Sequence, residues 1–233
     1  MSAPSAVVRA VGARLARHYG PLHWWPAETP FEVVVGAVLT QNTAWTNVER
    51  AITNLKCAGV LTPAALRALS ADTLEAHIRP SGTYRVKARR LRALLDWLGE
   101  DWEHTLAGPT GAVRTALLAV PGVGAETADA ILLYAAGHPT FVIDAYTRRI
   151  MTRIGVTPAI DSYEAWQALF MGALPPDAPV FNAYHAGLVQ LGKDACRTTP
   201  CCAGCPLAHL CATGRAALST DLKTVWLRTA SGA

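Results

Sequence analysis

The stretch that most limits the fold runs from Val120 to Arg149, VPGVGAETADAILLYAAGHPTFVIDAYTRR. Pro121-Gly122-Val123-Gly124 reads as a tight turn whose two glycines admit positive φ and leave backbone N–H groups open to an anion, with no Cβ in the way. Thr127 to Ala136 has helical spacing, and the preceding VRTALLAV supplies a partner helix. The second helix would point its N-terminal N–H groups and partial positive charge at the same turn, so turn and helix make an anion site without a lysine. A chain built around two helices joined this tightly is not organised as a sheet. The rest agrees: residues 47–108 alternate helical patterns with short loops, no strand-length alternation occurs, and Thr62-Pro63 and Ser70-Ala71-Asp72 read as helix starts. The expected class is all-α.

Helix, PGVG turn, helix is the pattern of a helix-hairpin-helix, which grips one DNA strand by its phosphates and leaves the bases unread. A net charge of +4 suits a polyanionic partner, and 51% hydrophobic residues in 233 supply ample core. VVVGAVL is too short to span a bilayer, and residues 1–20, though basic, carry the apolar spacing Val7, Val8, Val11, Leu15 of an ordinary amphipathic helix. A cytoplasmic protein is expected, and its clustered cysteines then read as a metal site and not as disulfides.

Twenty residues past Gly124 stands Asp144, in FVID ahead of the helical AYTRRIMTRI. Taken alone it reads as an N-cap. Upstream, Glu28-Thr29-Pro30 opens a helix that is apolar almost all round and ends in the polar break Leu39-Thr40-Gln41-Asn42-Thr43. The loop from Arg79 to Tyr84 leads into the basic segment Lys87, Arg89, Arg90, Arg92. His185 is a lone histidine on a mostly apolar helix and reads as structural. Near the end stands CRTTPCCAGCPLAHLC.

Hairpin, spaced aspartate and cysteine loop together resemble the endonuclease III superfamily of base-excision DNA glycosylases. The resemblance implies two α-helical lobes, residues 22–133 with the hairpin and residues 1–21 plus 134–233 with the cysteines, and a DNA groove between them. It implies that Asp144 assists cleavage of the N-glycosidic bond of a flipped base. Gln41, in a turn similar to the family's L-[ST]-x-Q-x-T, would fill the gap in the duplex and offset part of the few kcal/mol that flipping costs. Gly122, Val123, Gly124, Thr127 and Lys87 would contact DNA phosphates. Thr83 would be the wedge of the family's G-x-Y-x-x-K-A segment beside Tyr84, at a position where relatives often carry leucine. Cys196, Cys202, Cys205 and Cys211 resemble the C-x6-C-x2-C-x5-C loop that holds a [4Fe-4S] cluster, the first spacing being one residue short, with Cys201 and Cys57 spare. Zinc also accepts four thiolates, but a structural zinc site usually has two C-x2-C knuckles and this chain has one.

Members that also cut the strand carry a lysine two residues past the last glycine, where this chain has Glu126. A carboxylate forms no imine, so the expectation is a monofunctional glycosylase using water. WWP, GAVLTQNT, RPSGTYRVKARRL and GAETADAILLYA look like the 3-methyladenine branch over residues 22–150. That branch lines its pocket with residues matched here by Trp24, Trp25, Pro26 and Trp45, aromatic faces suited to a cationic alkylated purine. The partner would be double-stranded DNA carrying a damaged base, bound by a monomer. Two other readings stay open: an endonuclease III-type enzyme for oxidised pyrimidines or mismatched bases, and a lesion-sensing binder without turnover.

Overall fold

A computed structural model describes residues 4–22 and 25–219. Trp24, expected in the aromatic pocket, and the tail beyond residue 219 lie outside the described residues. Among the described residues every regular element is helical and no strand occurs, as the spacing predicts. No described helix is long and apolar enough to cross a membrane. The chain divides into two compact units, Trp25–Thr140 and Met1–Trp24 with Phe141–Ala233.

The unit Trp25–Thr140 is built around α2, Pro30–Leu39, in which every residue after Pro30 is buried. Its start follows the sequence: Thr29 Oγ1 accepts the Glu32 N–H at 3.2 Å and Pro30 fills the first helical position. The same Thr-Pro device opens α4 (Pro63–Ala68), and Ser70 caps α5 (Ala71–Ile78). Around α2 pack α3 (Trp45–Cys57), α6 (Tyr84–Leu98) and the end of the hairpin. Glu32 within α2 is buried, and its carboxylate meets Lys56 of α3 at 2.9 Å. The short α7 (Trp102–Leu106) leads into the hairpin helices α8 (Thr110–Leu118) and α9 (Ala125–Ala130).

The other unit joins both parts of the chain that flank this one. α1, Pro4–Tyr19, buries Val8, Val11 and Leu15, one stripe at helical spacing, against α12, Ala178–Asp194. The Tyr184 hydroxyl of α12 donates to Val8 O at 2.6 Å, and Gly187 lets the backbone of α12 approach Leu15. α10 (Ala145–Ile154) crosses α12 where Gly192 has no Cβ to meet the Tyr146 ring. With α11 (Tyr163–Met171), these helices enclose Phe141, stacked on Phe170 at 4.2 Å and met edge-on by Phe181 and Tyr184. Each such side chain contributes about 1.5–3 kcal/mol of burial, so FVID is anchored three residues before Asp144, through Phe141. Its carbonyl is satisfied by Gln167 at 2.8 Å.

Candidate active site and cysteine loop

The hairpin turn is held by its valines. Val120 and Val123 are buried and Val123 N–H donates to Val120 O at 3.0 Å, which turns the chain between α8 and α9. Gly122 has φ +87°, and a Cβ there would lie 2.3 Å from Arg90 Cγ. Gly124 departs from the expectation that both glycines use positive φ: it is extended, at φ −91° and ψ 175°, and serves as N-cap. The second helix also begins earlier than the Thr127 start that the sequence suggests, at Ala125, and from Ile131 to Ala135 it widens into a π turn. Within α9, Asp129 is fully buried and takes a bidentate pair from Arg114 of α8 at 2.8 and 3.0 Å, plus the Thr140 hydroxyl at 2.9 Å. Glu126 stands exposed in the first turn of α9.

Gln41 is tied to this hairpin by two hydrogen bonds and to α6 by a third. Its Nε2 donates to Gly122 O at 3.1 Å and to the buried Thr127 Oγ1 at 3.0 Å, while Oε1 accepts from Arg90 Nη1 at 2.6 Å. Because a carbonyl only accepts and a guanidinium only donates, these partners fix which way the amide faces. Arg90 therefore belongs to the site; the sequence places it in a basic segment and gives no sign of this partner.

The second turn, Arg79–Ser81 and Gly82, ends at Thr83, exposed and left-handed at φ 34°, the N-cap of α6. Tyr84 follows, with the guanidinium groups of Arg79 and Arg85 over its ring at 5.8 and 5.4 Å. Lys87 corrects the expectation of a phosphate contact. It is 1% exposed, and its ammonium donates inward to Leu39 O at 2.8 Å and Ser81 O at 2.5 Å. The signal lay in the spacing, since Lys87 shares the apolar stripe of Leu91, Leu94 and Leu98.

Two of the expected pocket aromatics meet. Trp25 packs edge-on against Trp45 at 5.4 Å and tilted against Tyr134 at 5.2 Å, with its ring seated on Gly36 of α2. Trp25, Pro26, Gly36 and Trp45 line one cavity together with the carboxylates of Glu32 and Glu49. The Trp45 indole N–H donates to Glu49 at 2.8 Å, and Lys56, which also lines the cavity, pairs with Glu32 at 2.9 Å. Indole faces with two carboxylates against one ammonium favour a flat cation over a flat neutral ring.

In the unit of residues 141–233, Asp144 is the N-cap of α10: Oδ1 accepts the Thr147 N–H at 2.7 Å. Its Oδ2 lies 3.7 Å from His185 Nε2 of α12. His185 is buried, and desolvation holds its pKa below the ordinary value of 6.5, with the Asp144 charge pulling the other way. Sequence reading took His185 as structural and missed this neighbour, because the two residues meet only through the crossing of α10 and α12.

Cys196, Cys201, Cys202, Cys205 and Cys211 line one cavity, walled by Leu191 and other apolar side chains. α10 pins the loop from below. Arg149 Nε donates to Cys196 O at 2.8 Å, and Arg153 donates to Cys196 Sγ at 3.1 Å and to Arg197 O and Thr198 O. Burial, and then the neighbouring cysteines, push the Cys202 thiol up; burial pushes the Cys205 thiol up too, against a hydrogen bond from the Leu207 backbone. Among the described residues no three His, Cys, Asp or Glu side chains converge on a single-ion site. The donor set of Cys196, Cys202, Cys205 and Cys211 on one cavity, with Arg153 donating to Cys196 Sγ, is the thiolate chemistry that a [4Fe-4S] cluster would need, and these four residues would hold it. Cys57 is exposed in the other unit.

Residues 35–176 match the HhH-GPD superfamily of base excision DNA repair proteins. A Methanocaldococcus jannaschii protein assigned as a DNA repair glycosylase is 43% identical over 84% of this chain and 92% of its own length. Endonuclease III of Bacillus subtilis is 29% identical over 80% of this chain and 82% of its own. Among solved structures, a non-covalent endonuclease III–DNA complex superposes with a TM-score of 0.78 at 26% identity, covering 94% of this chain and 100% of that one. The 3-methyladenine DNA glycosylase of H. pylori, bound to 1,N6-ethenoadenine, gives 0.69 at 28% identity over 82% and 98%. With its hairpin, its glutamine turn and its aspartate-capped helix, the chain belongs to the HhH-GPD superfamily of base excision DNA repair glycosylases.

Proposed function

We propose that this protein is a monofunctional DNA glycosylase that hydrolyses the N-glycosidic bond of a flipped alkylated purine such as 3-methyladenine, acting as a cytoplasmic monomer on double-stranded DNA. The observation that carries the substrate class is the cavity of Trp25, Pro26, Gly36 and Trp45 with the Glu32 and Glu49 carboxylates. N3- or N7-alkylation makes a purine cationic, so indole faces and net negative charge attract it while its own charge makes it a good leaving group. The bond from C1′ to the base nitrogen breaks with both electrons going to the base, which leaves neutral. The sugar carries the positive charge until water adds at C1′ and passes a proton to the Asp144 carboxylate, which returns it to solvent. Asp144 supplies the carboxylate: Oδ1 is held by the helix cap, and Oδ2 serves the developing cation and the incoming water. Glu126 in place of a lysine supports the absence of imine chemistry and strand cutting. Gln41 fills the space of the flipped nucleotide, Thr83 meets the opposite strand beside Tyr84, and the backbone of Gly122, Val123 and Gly124 with Thr127 grips a phosphate. Cys196, Cys202, Cys205 and Cys211 would hold a [4Fe-4S] cluster through four thiolates, and the bound cluster would order the loop that α10 pins from below.

The test is release of free base from methylated duplex DNA, run beside oxidised-pyrimidine and uracil duplexes, with and without hot alkali. Free 3-methyladenine, with strand breaks only after alkali, is the expected result. Asp144→Asn keeps a good cap and should lower base release roughly hundredfold or more with DNA affinity retained. Release of an oxidised pyrimidine, or strand cutting without alkali, sinks the alkylpurine reading in favour of an endonuclease III-type enzyme, the activity that the B. subtilis relative's name carries. No release from any duplex leaves a lesion-sensing binder.

A further inference from the structure

Lys87 is a buried cation with no carboxylate: among the described residues it takes part in no ion pair, and only two carbonyl oxygens accept from it. Burying a charge in this way is expensive, and a stem of similar length ending in an apolar group would fill the same space with nothing to desolvate. What the ammonium adds is its pair of bonds. One goes to Leu39 O, the last residue of α2, immediately before the turn that carries Gln41. The other goes to Ser81 O, immediately before Gly82 and the Thr83 tip. The turns are neighbours, with Thr43 Oγ1 4.0 Å from where a Cβ on Gly82 would stand.

A second, independent observation falls on the same two turns. The non-glycine residues with positive φ among the described residues are Asn42, at 52°, and Thr83, at 34°. Asn42 follows Gln41 and Thr83 is the wedge itself. Backbone of this kind persists only where its surroundings over-determine it. Burial pushes the Lys87 amine down to about 8, with the Arg90 charge adding to the effect. A donor that remains bonded to both carbonyls under that load is a brace for both turns.

We propose that Lys87 is a positioning residue that locks the Gln41 turn and the Thr83 turn into one fixed register, so that the two side chains enter a duplex as a pair. The idea rests on the reading that these turns invade DNA, and its test separates the two. A duplex with a tetrahydrofuran abasic analogue and 2-aminopurine opposite it reports invasion by a rise in fluorescence, whatever base the enzyme removes. The wild-type protein should give the rise, and Lys87→Met should weaken productive invasion roughly tenfold to hundredfold, the range for losing hydrogen bonds from a charged donor. In a Gln41→Ala, Thr83→Gly background, Lys87→Met should cost little more, since nothing is left to register. A protein merely loosened by the substitution would instead lose base release equally from duplex and from single-stranded methylated DNA, whereas loss of register should spare the single strand. If Lys87→Met does not fold, Lys87→Gln carries the same comparison. No rise with the wild type overturns the invading-turn reading. A normal rise with the variant, or the same loss in both backgrounds, overturns the role of Lys87. Borohydride trapping of Lys87 on abasic DNA would make it a nucleophile and overturn it as well.

Discussion

Asp144 divides its carboxylate between a helix cap and the space beside His185, so the histidine is where a proton can alter both. Since the folded-state pKa of His185 lies below 6.5, the folded protein binds fewer protons than the unfolded chain once pH falls under that value. This group costs nothing at neutral pH, and stability is lost as pH drops from 6.5 toward the folded pKa. Urea unfolding between about pH 7.5 and 5.5 should show the decline, at up to about 1.4 kcal/mol per pH unit from this site, and His185→Gln should flatten it. An unchanged slope in the variant would show that the loss arises elsewhere. How far single residues were legible depended on how local their partners are. The cap at Asp144 acts three residues away and could be read from FVIDAYT. The partner of Lys87 at Leu39 lies 48 residues back and that of Gln41 at Thr127 lies 86 ahead, so their side chains could be named but their directions could not.

At the scale of elements, α8 and α9 depend on one buried pair as much as on the valines between them. Arg114→Ala would leave the Asp129 carboxylate fully buried without its bidentate partner, a loss of about 3–5 kcal/mol, to be measured by denaturant unfolding. A loss under about 1 kcal/mol would mean that the aspartate's other partners, Thr140 among them, satisfy it without Arg114. Helix starts were the most legible feature, because Thr29-Pro30, Thr62-Pro63 and Ser70 act within their own first turn. The end of α9 was not. Its spacing continues through Ala136, but the ladder slips to Ala136 N–H donating to Ile131 O, in a segment whose Ile131, Leu132 and Leu133 are all buried against neighbours distant in sequence.

For the molecule as a whole, the proposed cluster makes a demand that can be tested on the cysteine loop, which α10 holds through Arg149 and Arg153. Cys205→Ser should lose iron and sulfide from the purified protein and open residues 195–211 to protease, while the segment 25–140 keeps its resistance. Full iron retention by that variant would remove Cys205 from the ligand set. The fold class and the identity of the hairpin were legible because tight turns and helical periods are local; the pairing of α1 with α12 was not, for nothing in either stripe names its partner. That pairing has a consequence for synthesis. The residues of one unit are contiguous and leave the ribosome as a block, but in the other unit α1 is made long before α12, the helix it packs against. Val8 accepts from a tyrosine 176 residues later, which at about 5–20 residues per second is a delay of roughly nine to thirty-five seconds. Throughout that interval the apolar stripe of Val8, Val11 and Leu15 exists without the helix that covers it. The nascent chain must therefore carry an uncovered amphipathic helix until α12 has been made, and chaperone capture of α1 is where a defect in α12 would first be felt.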